Sequence, residues 1–116
     1  MAGAGDPDNR RFMQWSGYSA GQTLLKNRIK AMAKARAAHS ALRRGSRSSI
    51  SADADTLVYA MTDGSDVVYV CINRGDSSRN LGGFPNGSYV DEMDGSSHTG
   101  SSVDVPARST RILAAP

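Results

Sequence analysis

The sequence predicts an α+β fragment in which an N-terminal loop and one long α-helix are followed by an antiparallel Greek-key β-sandwich. Three observations carry that expectation. Residues 22–44 are rich in Ala, Leu, Lys, Arg and Met and place apolar residues at helical spacing. From Ser46 onward the period changes to two. The short apolar runs that follow are divided by Asp-Gly, Asn-Gly and Pro breaks.

The 116 residues fit one small domain. Leu, Ile, Val and Phe total 19 of them, roughly 16%, below the level of about 20% at which disorder becomes a concern when net charge is high. Net charge is only +3, so the composition reads as a thin core rather than disorder, and a thin core suits a piece of something larger. Charge is unevenly spread: residues 22–50 hold eight Lys or Arg and no acid, and residues 51–116 hold nine Asp or Glu against four Arg. A basic helix beside an acidic β-region makes two mutually attractive layers, or a nucleic-acid surface. One cysteine excludes an internal disulfide. Met1–Gly5 is too short for a signal peptide and has no apolar run, and no stretch approaches the roughly 18 apolar residues of a membrane span.

The first element is a loop. Asp6 to Trp15 reads Asp-Pro-Asp-Asn-Arg-Arg-Phe-Met-Gln-Trp, with acids, arginines, an amide and large apolar side chains but no helical or strand period. Pro7 fixes its own backbone and pushes Asp6 out of the helical region. Arg10 can then fold back over the Asp6 carboxylate. A carboxylate beside a guanidinium fork suits a polyhydroxylated ligand, because one accepts and the other donates hydrogen bonds to neighbouring hydroxyls. The plainer alternative is a surface ion pair worth about 0–1 kcal/mol. Phe12, Met13 and Trp15 weigh against it, since three large apolar residues on a loop need something to pack on. Trp15 is expected to plug the loop against the helix; Tyr18 either does the same or presents its ring to a sugar.

Gln22 to Arg44 is expected to be one helix. Leu25, Ile29 and Met32 form an apolar stripe, widened by Ala33 and the stem of Arg36, with Lys26, Lys30 and Lys34 on a solvated far side. Gly45 is expected to end the helix as its C′ residue, with Arg43 and Arg44 at the negative end of the dipole. His39 reads as structural, because no second metal-ligating residue lies one turn away.

Thr56–Thr62 and Asp66–Ile72 are expected strands joined by the Asp63-Gly64-Ser65 turn. On the second, Val68, Val70 and Ile72 share one face and Val67, Tyr69 and Cys71 the other, which marks a central strand and an inert cysteine. Asn73–Asn80 should turn away. Asn86-Gly87 should start a strand through Tyr89 to Met93, closed by Asp94-Gly95, with Ser102–Val105 and Thr110–Ala114 last. Asp53 and Asp55 read as a solvated edge rather than an acid–base pair. Asp6-Pro7-Asp8-Asn9 lacks the Gly and distal Glu of a calcium loop, and His98 has no nucleophile and acid that spacing alone identifies.

Gly5-Asp6-Pro7-Asp8-Asn9-Arg10-Arg11-Phe12-Met13-Gln14-Trp15 resembles the segment that, in the α-amylase family of glycoside hydrolases, follows the eighth barrel strand and leads into the eighth barrel helix. Arg36 to Gly45 is similar to the end of that helix, where an Arg, a short spacer, Ala-Leu-Arg and a Gly recur. The strands after it follow only the general pattern of the family's C-terminal β-domain. The resemblance implies that residues 1–45 are the end of a (β/α)8 barrel and residues 46–116 the C-terminal all-β domain. It implies a parent enzyme hydrolysing α-1,4-glucosidic bonds of starch with retention, through an Asp nucleophile, a Glu acid/base and a third Asp.

All three carboxylates lie before the matched segment, so no residue here inherits a catalytic role and the chain alone is expected to be inactive. Asp6 and Arg10 match the Asp and Arg of the family's Asp-Pro-x-Asn-Arg pattern and are the implied substrate-binding residues, contacting a donor-side glucose. No metal ligand or cofactor is implied in this segment, with calcium an option for the parent, and an extracellular or periplasmic parent fits. The expected partners are an α-glucan or oligosaccharide and the missing barrel, with a homodimer when the segment is alone and neither nucleic acid nor membrane. Two rivals stand beside this reading: a stand-alone carbohydrate-binding or accessory β-sandwich, and a nucleic-acid binder using the basic helix.

Overall fold

The structure is a computed structural model that describes Gly5 and residues 12–116. Asp6 and Arg10 lie outside the described residues. Helix α1 (Ala20–Ala38) opens with a complete capping box: Ser19 Oγ accepts from the Gln22 N–H at 3.3 Å, and Gln22 Oε1 accepts from the Ser19 N–H at 2.8 Å.

The helix stops at Ala38, short of the expected Arg44, because a carboxylate competes for its backbone. His39 turns extended (φ −110°, ψ 119°), and a short helix α2 (Ala41–Arg44) restarts beyond it. Asp66, from the β-region, accepts the Ala41 N–H at 2.9 Å. The last carbonyls of α1 are met by Arg43, whose Nη1 donates to the Arg36 and Ala37 oxygens at 2.8 and 2.5 Å.

Gly45 also departs from expectation. Its φ is −68°, so the left-handed region plays no part. What requires glycine is space: a Cβ there would strike the Ala41 carbonyl oxygen and approach the Thr62 oxygen to 2.9 Å.

Six strands follow: β1 (Ser46–Ala52), β2 (Thr56–Asp63), β3 (Asp66–Asn73), β4 (Arg79–Asp91), β5 (Ser97–Val105) and β6 (Ser109–Ala114). They form one antiparallel sheet in the order β1-β2-β3-β6-β4-β5, not the two hydrogen-bonded sheets of the expected Greek-key sandwich. β6 makes the difference. It pairs with β3 along its length and with β4 at Val90↔Ala114 and Asp91↔Leu113, so the two halves are stitched together. β4 bends at an irregularity between Gly82 and Gly87, where Gly83 has φ 101°, and the sheet curls. Asn86-Gly87 therefore lies inside β4 instead of starting a strand.

The curl encloses one core. Val58 and Cys71 from β2–β3 meet Leu81, Phe84, Tyr89, Val103, Val105 and Leu113 from the other half. Tyr69, Phe84 and Tyr89 stack edge or tilted at centroid distances of 5.3–5.7 Å. The outer face of β3 and β6, with Val68, Val70, Ile112 and Ala114, is covered by Ala35 and Ala41 of the helices. β3 lies between β2 and β6, the central place that its two apolar faces predict.

Gly45→Ala should lower stability by roughly 1–3 kcal/mol, since the collision is with backbone that cannot move aside cheaply. Urea denaturation of the two chains measures this; an unchanged midpoint would contradict the packing argument.

Candidate functional site

The described part of the N-terminal loop is fastened to α1 by polar contacts. Gln14 Nε2 donates to the Ser16 and Gly17 carbonyls at 3.0 and 2.8 Å, and Gln14 Oε1 accepts from Gln22 Nε2 at 3.4 Å. The Tyr18 hydroxyl donates to the Gln14 carbonyl at 2.7 Å, and Lys26 Nζ sits 4.5 Å from the Tyr18 ring centroid. Tyr18 is thus half-buried as a fastener. Trp15 is not the expected plug: it is 80% exposed, and Phe12 and Met13 are exposed beside it.

The same loop continues into a helix with two unlike faces. Ala35 is buried and Ala31 half-buried toward the sheet, where a small side chain permits close approach. At about 100° per residue Leu25, Ile29 and Met32 are turned roughly 60–120° away from Ala35, on the flank of the helix rather than its opposite side. They are 54%, 54% and 44% exposed. Half-exposed, each forgoes roughly half of the about 1.5–3 kcal/mol that full burial of such a side chain contributes.

Where α1 ends, three elements meet at His39. Its Nδ1 lies 3.0 Å from Asp66 Oδ1 and its Nε2 3.5 Å from Glu92 Oε1. The Ala41 amide and His39 hold the Asp66 carboxyl below the usual carboxylate range. Next to this junction, Asn27, Lys30, Ala31 and Lys34 of α1 face residues 90–95 across an open cleft of about 510 Å³. His39 is structural, as the sequence predicts, although its partners come from far along the chain.

A second polar cluster lies at the β4–β5 turn. Asp91 is only 1% exposed and accepts from the Met93 and Ile112 amides at 2.9 and 3.1 Å and from Arg111 Nη1 at 2.9 Å. Around Arg111 stand Asp94, Ser96 and His98, a grouping that sequence spacing did not identify. Ser96 Oγ donates to Asp94 Oδ1 at 2.5 Å and lies 2.8 Å from His98 Nε2, which also faces Arg111 Nη1 at 3.4 Å. In a hydrolytic triad the carboxylate holds the other ring nitrogen of the histidine. Here serine stands between acid and histidine, so the arrangement is a turn-stabilising network. The Ser96 hydrogen bonds hold Asp94 below the usual carboxylate range.

Asp53 and Asp55, the other acid pair, fall on the β1–β2 turn. Asp53 Oδ1 accepts from the Asp55 and Thr56 amides at 2.8 and 2.7 Å, and Arg79 reaches its other oxygen at 3.2 Å. Among the described residues no three metal-ligating side chains cluster, and no helix is long and apolar enough to cross a membrane.

The fold matches part of the length of solved α-amylase-type enzymes. It superposes on an Anoxybacillus α-amylase with a TM-score of 0.84 at 19% identity, over 100% of this chain and 27% of that one. It superposes on AmyP, solved in complex with maltose, with a TM-score of 0.74 at 20% identity, over 83% and 21% of the two chains.

Sequence likeness narrows the class. The chain is 37% identical over 100 residues to the cyclomaltodextrin glucanotransferase of Paenibacillus macerans, covering 82% of this chain and 14% of that enzyme. It is 34% identical over 83 residues to the cyclomaltodextrinase of Geobacillus thermopakistaniensis, covering 70% and 14%. No protein-family model matches. The chain thus spans 14% of the length of each of these relatives, and it matches a C-terminal part of α-amylase-type glycoside hydrolases.

Arg111→Met should destabilise the domain by about 3 kcal/mol or more, because it leaves the buried Asp91 charge without its cation. Thermal unfolding of wild type and variant checks it. An unchanged transition would remove the pair from the structural account.

Proposed function

We propose that this chain is the end of the catalytic barrel and the C-terminal β-domain of an enzyme that hydrolyses α-1,4-glucosidic bonds in α-glucans with retention. Residues 1–45 would supply the loop after the eighth strand and the eighth helix, and residues 46–116 the β-domain that covers them. The observation that carries the reading is the division of labour on α1. Its alanine face is used by the sheet of this chain, while its Leu25–Ile29–Met32 face stays exposed and fits the inner packing of a barrel supplied by the remaining length of such an enzyme. The match to cyclomaltodextrin-acting relatives, and the maltose held by one structural neighbour, support an α-glucan or oligosaccharide as ligand. They favour this reading over a stand-alone carbohydrate-binding module.

Within that reading Asp6 and Arg10 bind substrate at a donor-side glucose, and the segment contributes neither catalytic residue nor cofactor. In the full-length enzyme, Asp6→Ala or Arg10→Ala should cost on the order of 1–3 kcal/mol in transition-state binding, with long oligosaccharides suffering more than the shortest. The 116-residue chain alone, assayed on starch as the control, should release no reducing sugar. Equal losses for long and short substrates would remove the subsite assignment.

In isolation the chain has no barrel to cover α1, and a second copy offers a self-complementary stripe about a two-fold axis. The isolated chain should therefore sediment as a dimer at high micromolar concentration, and Ile29→Lys should return it to monomer. A monomeric wild type, or a dimer indifferent to Ile29→Lys, would rule this out.

A further inference from the structure

We propose that His39 is a pH-set latch fastening the end of α1 to the β-sheet. The ring lies between carboxylates on two different elements, Asp66 at the start of β3 and Glu92 just beyond β4, at 3.0 and 3.5 Å from its two nitrogens. A neutral imidazole carries one N–H, so it donates to one carboxylate and turns a lone pair toward the other. The imidazolium donates to both. Only the charged form joins helix, hairpin and turn at once, and with 17% side-chain exposure the ring is shielded enough for that difference to count.

Lys30 and Lys34 of α1 line the cleft that Glu92 also lines, with no ion pair to it among the described residues, and the remaining charges nearby are engaged elsewhere. Asp63, at the end of β2, is held by Arg44 of α2 at 2.9 Å. Arg43 of α2 donates to the α1 carbonyls, and Arg36 of α1 donates to the Leu42 carbonyl. Among the described ion pairs, Asp66 and Glu92 have His39 as their cation. Burial pulls the imidazole's pKa down, but the hydrogen bonds and negative charge of Asp66 and Glu92 outweigh it, and the net shift is upward from the ordinary histidine value.

The unfolded chain titrates near the ordinary value of about 6.5. The contribution of the latch is therefore full below that pH and is lost as pH rises through the higher folded value. On the acid side Asp66, with its depressed pKa, loses its share as pH falls through that value. The latch is strongest in mildly acid solution. Because α1 also carries the capped loop at its other end, its docking sets where that loop stands. This inference does not depend on the glucan role.

Amide hydrogen exchange on the 116-residue chain tests it. Protection across the last turn of α1 and at Ala41, corrected for intrinsic exchange, should be about three- to tenfold greater at pH ~5.5 than at pH ~8. His39→Gln, which keeps a donor but does not titrate, should abolish that difference, and His98→Gln should leave it in place. Glu92→Gln, a milder change, should lower the His39 midpoint followed through its ring-proton resonances. Equal protection at both pH values, a pH dependence that survives His39→Gln, or a His39 midpoint unmoved by Glu92→Gln would each overturn the latch.

Discussion

The closure of the sheet depends on the buried carboxylate of Asp91. Only two residue pairs hold β4 to β6, against six between β3 and β6, so backbone pairing alone ties the halves together thinly. Asp91 makes up the difference by accepting from the Ile112 amide on β6, the Met93 amide of its own turn and the Arg111 guanidinium. A buried carboxylate is tolerated only when its acceptor sites are filled, and here they are filled by groups from both sides of the seam. The enclosed core exists because this seam holds β4 and β5 over β2 and β3. Asn73 does related work at the opposite end of β3, donating to the Ser77, Val105 and Pro106 carbonyls and accepting from the Gly75 amide. Two buried polar side chains therefore bracket a curl that apolar contacts fill.

α1 obeys a different constraint. A helix that serves one core needs one apolar stripe; this helix has a small-residue face on the sheet and a large-residue face in water. Neither the capping box at Ser19 nor the carboxylate contact that ends the helix depends on covering the second face. The helix can thus be well formed locally while its larger apolar side chains stay half-exposed.

How much of this was legible in the sequence follows from how local each signal is. The β2–β3 hairpin and the central place of β3 were readable because Asp63-Gly64-Ser65 and the doubly apolar run Val67–Ile72 are determined by neighbours along the chain. Strand β1 and the first half of β5 carry Ser, Thr, Gly and His with almost no apolar alternation, and only their edge positions explain why such residues suffice. The break in the helix was invisible because its cause, Asp66, lies 25 residues beyond Ala41. Gly45 was placed correctly for the wrong reason: a helix-ending glycine reads as a left-handed cap, whereas the Thr62 and Ala41 oxygens demand only that no side chain be there. At the candidate site, the Asp6–Arg10 reading came from motif and resemblance, and both residues lie outside the described structure. The apolar stripe of α1 was legible from its spacing, its exposure was expected only through the resemblance, and the His39 and Arg111 clusters needed the fold to assemble them.

The charge asymmetry resolves in the same way. Eight cations between residues 22 and 50 suggested a polyanion surface when read as a run. In three dimensions Arg36 and Arg43 are turned to backbone carbonyls, Arg44 to Asp63, and Lys26 to the Tyr18 ring. Lys30 and Lys34 line a cleft whose other wall carries Glu92 and Asp94. A nucleic-acid ridge needs cations free to replace counterions along a phosphate backbone. Here Arg36 and Arg43 are committed to backbone carbonyls at the helix ends and Arg44 to Asp63, so part of the basic run is used within the fold itself.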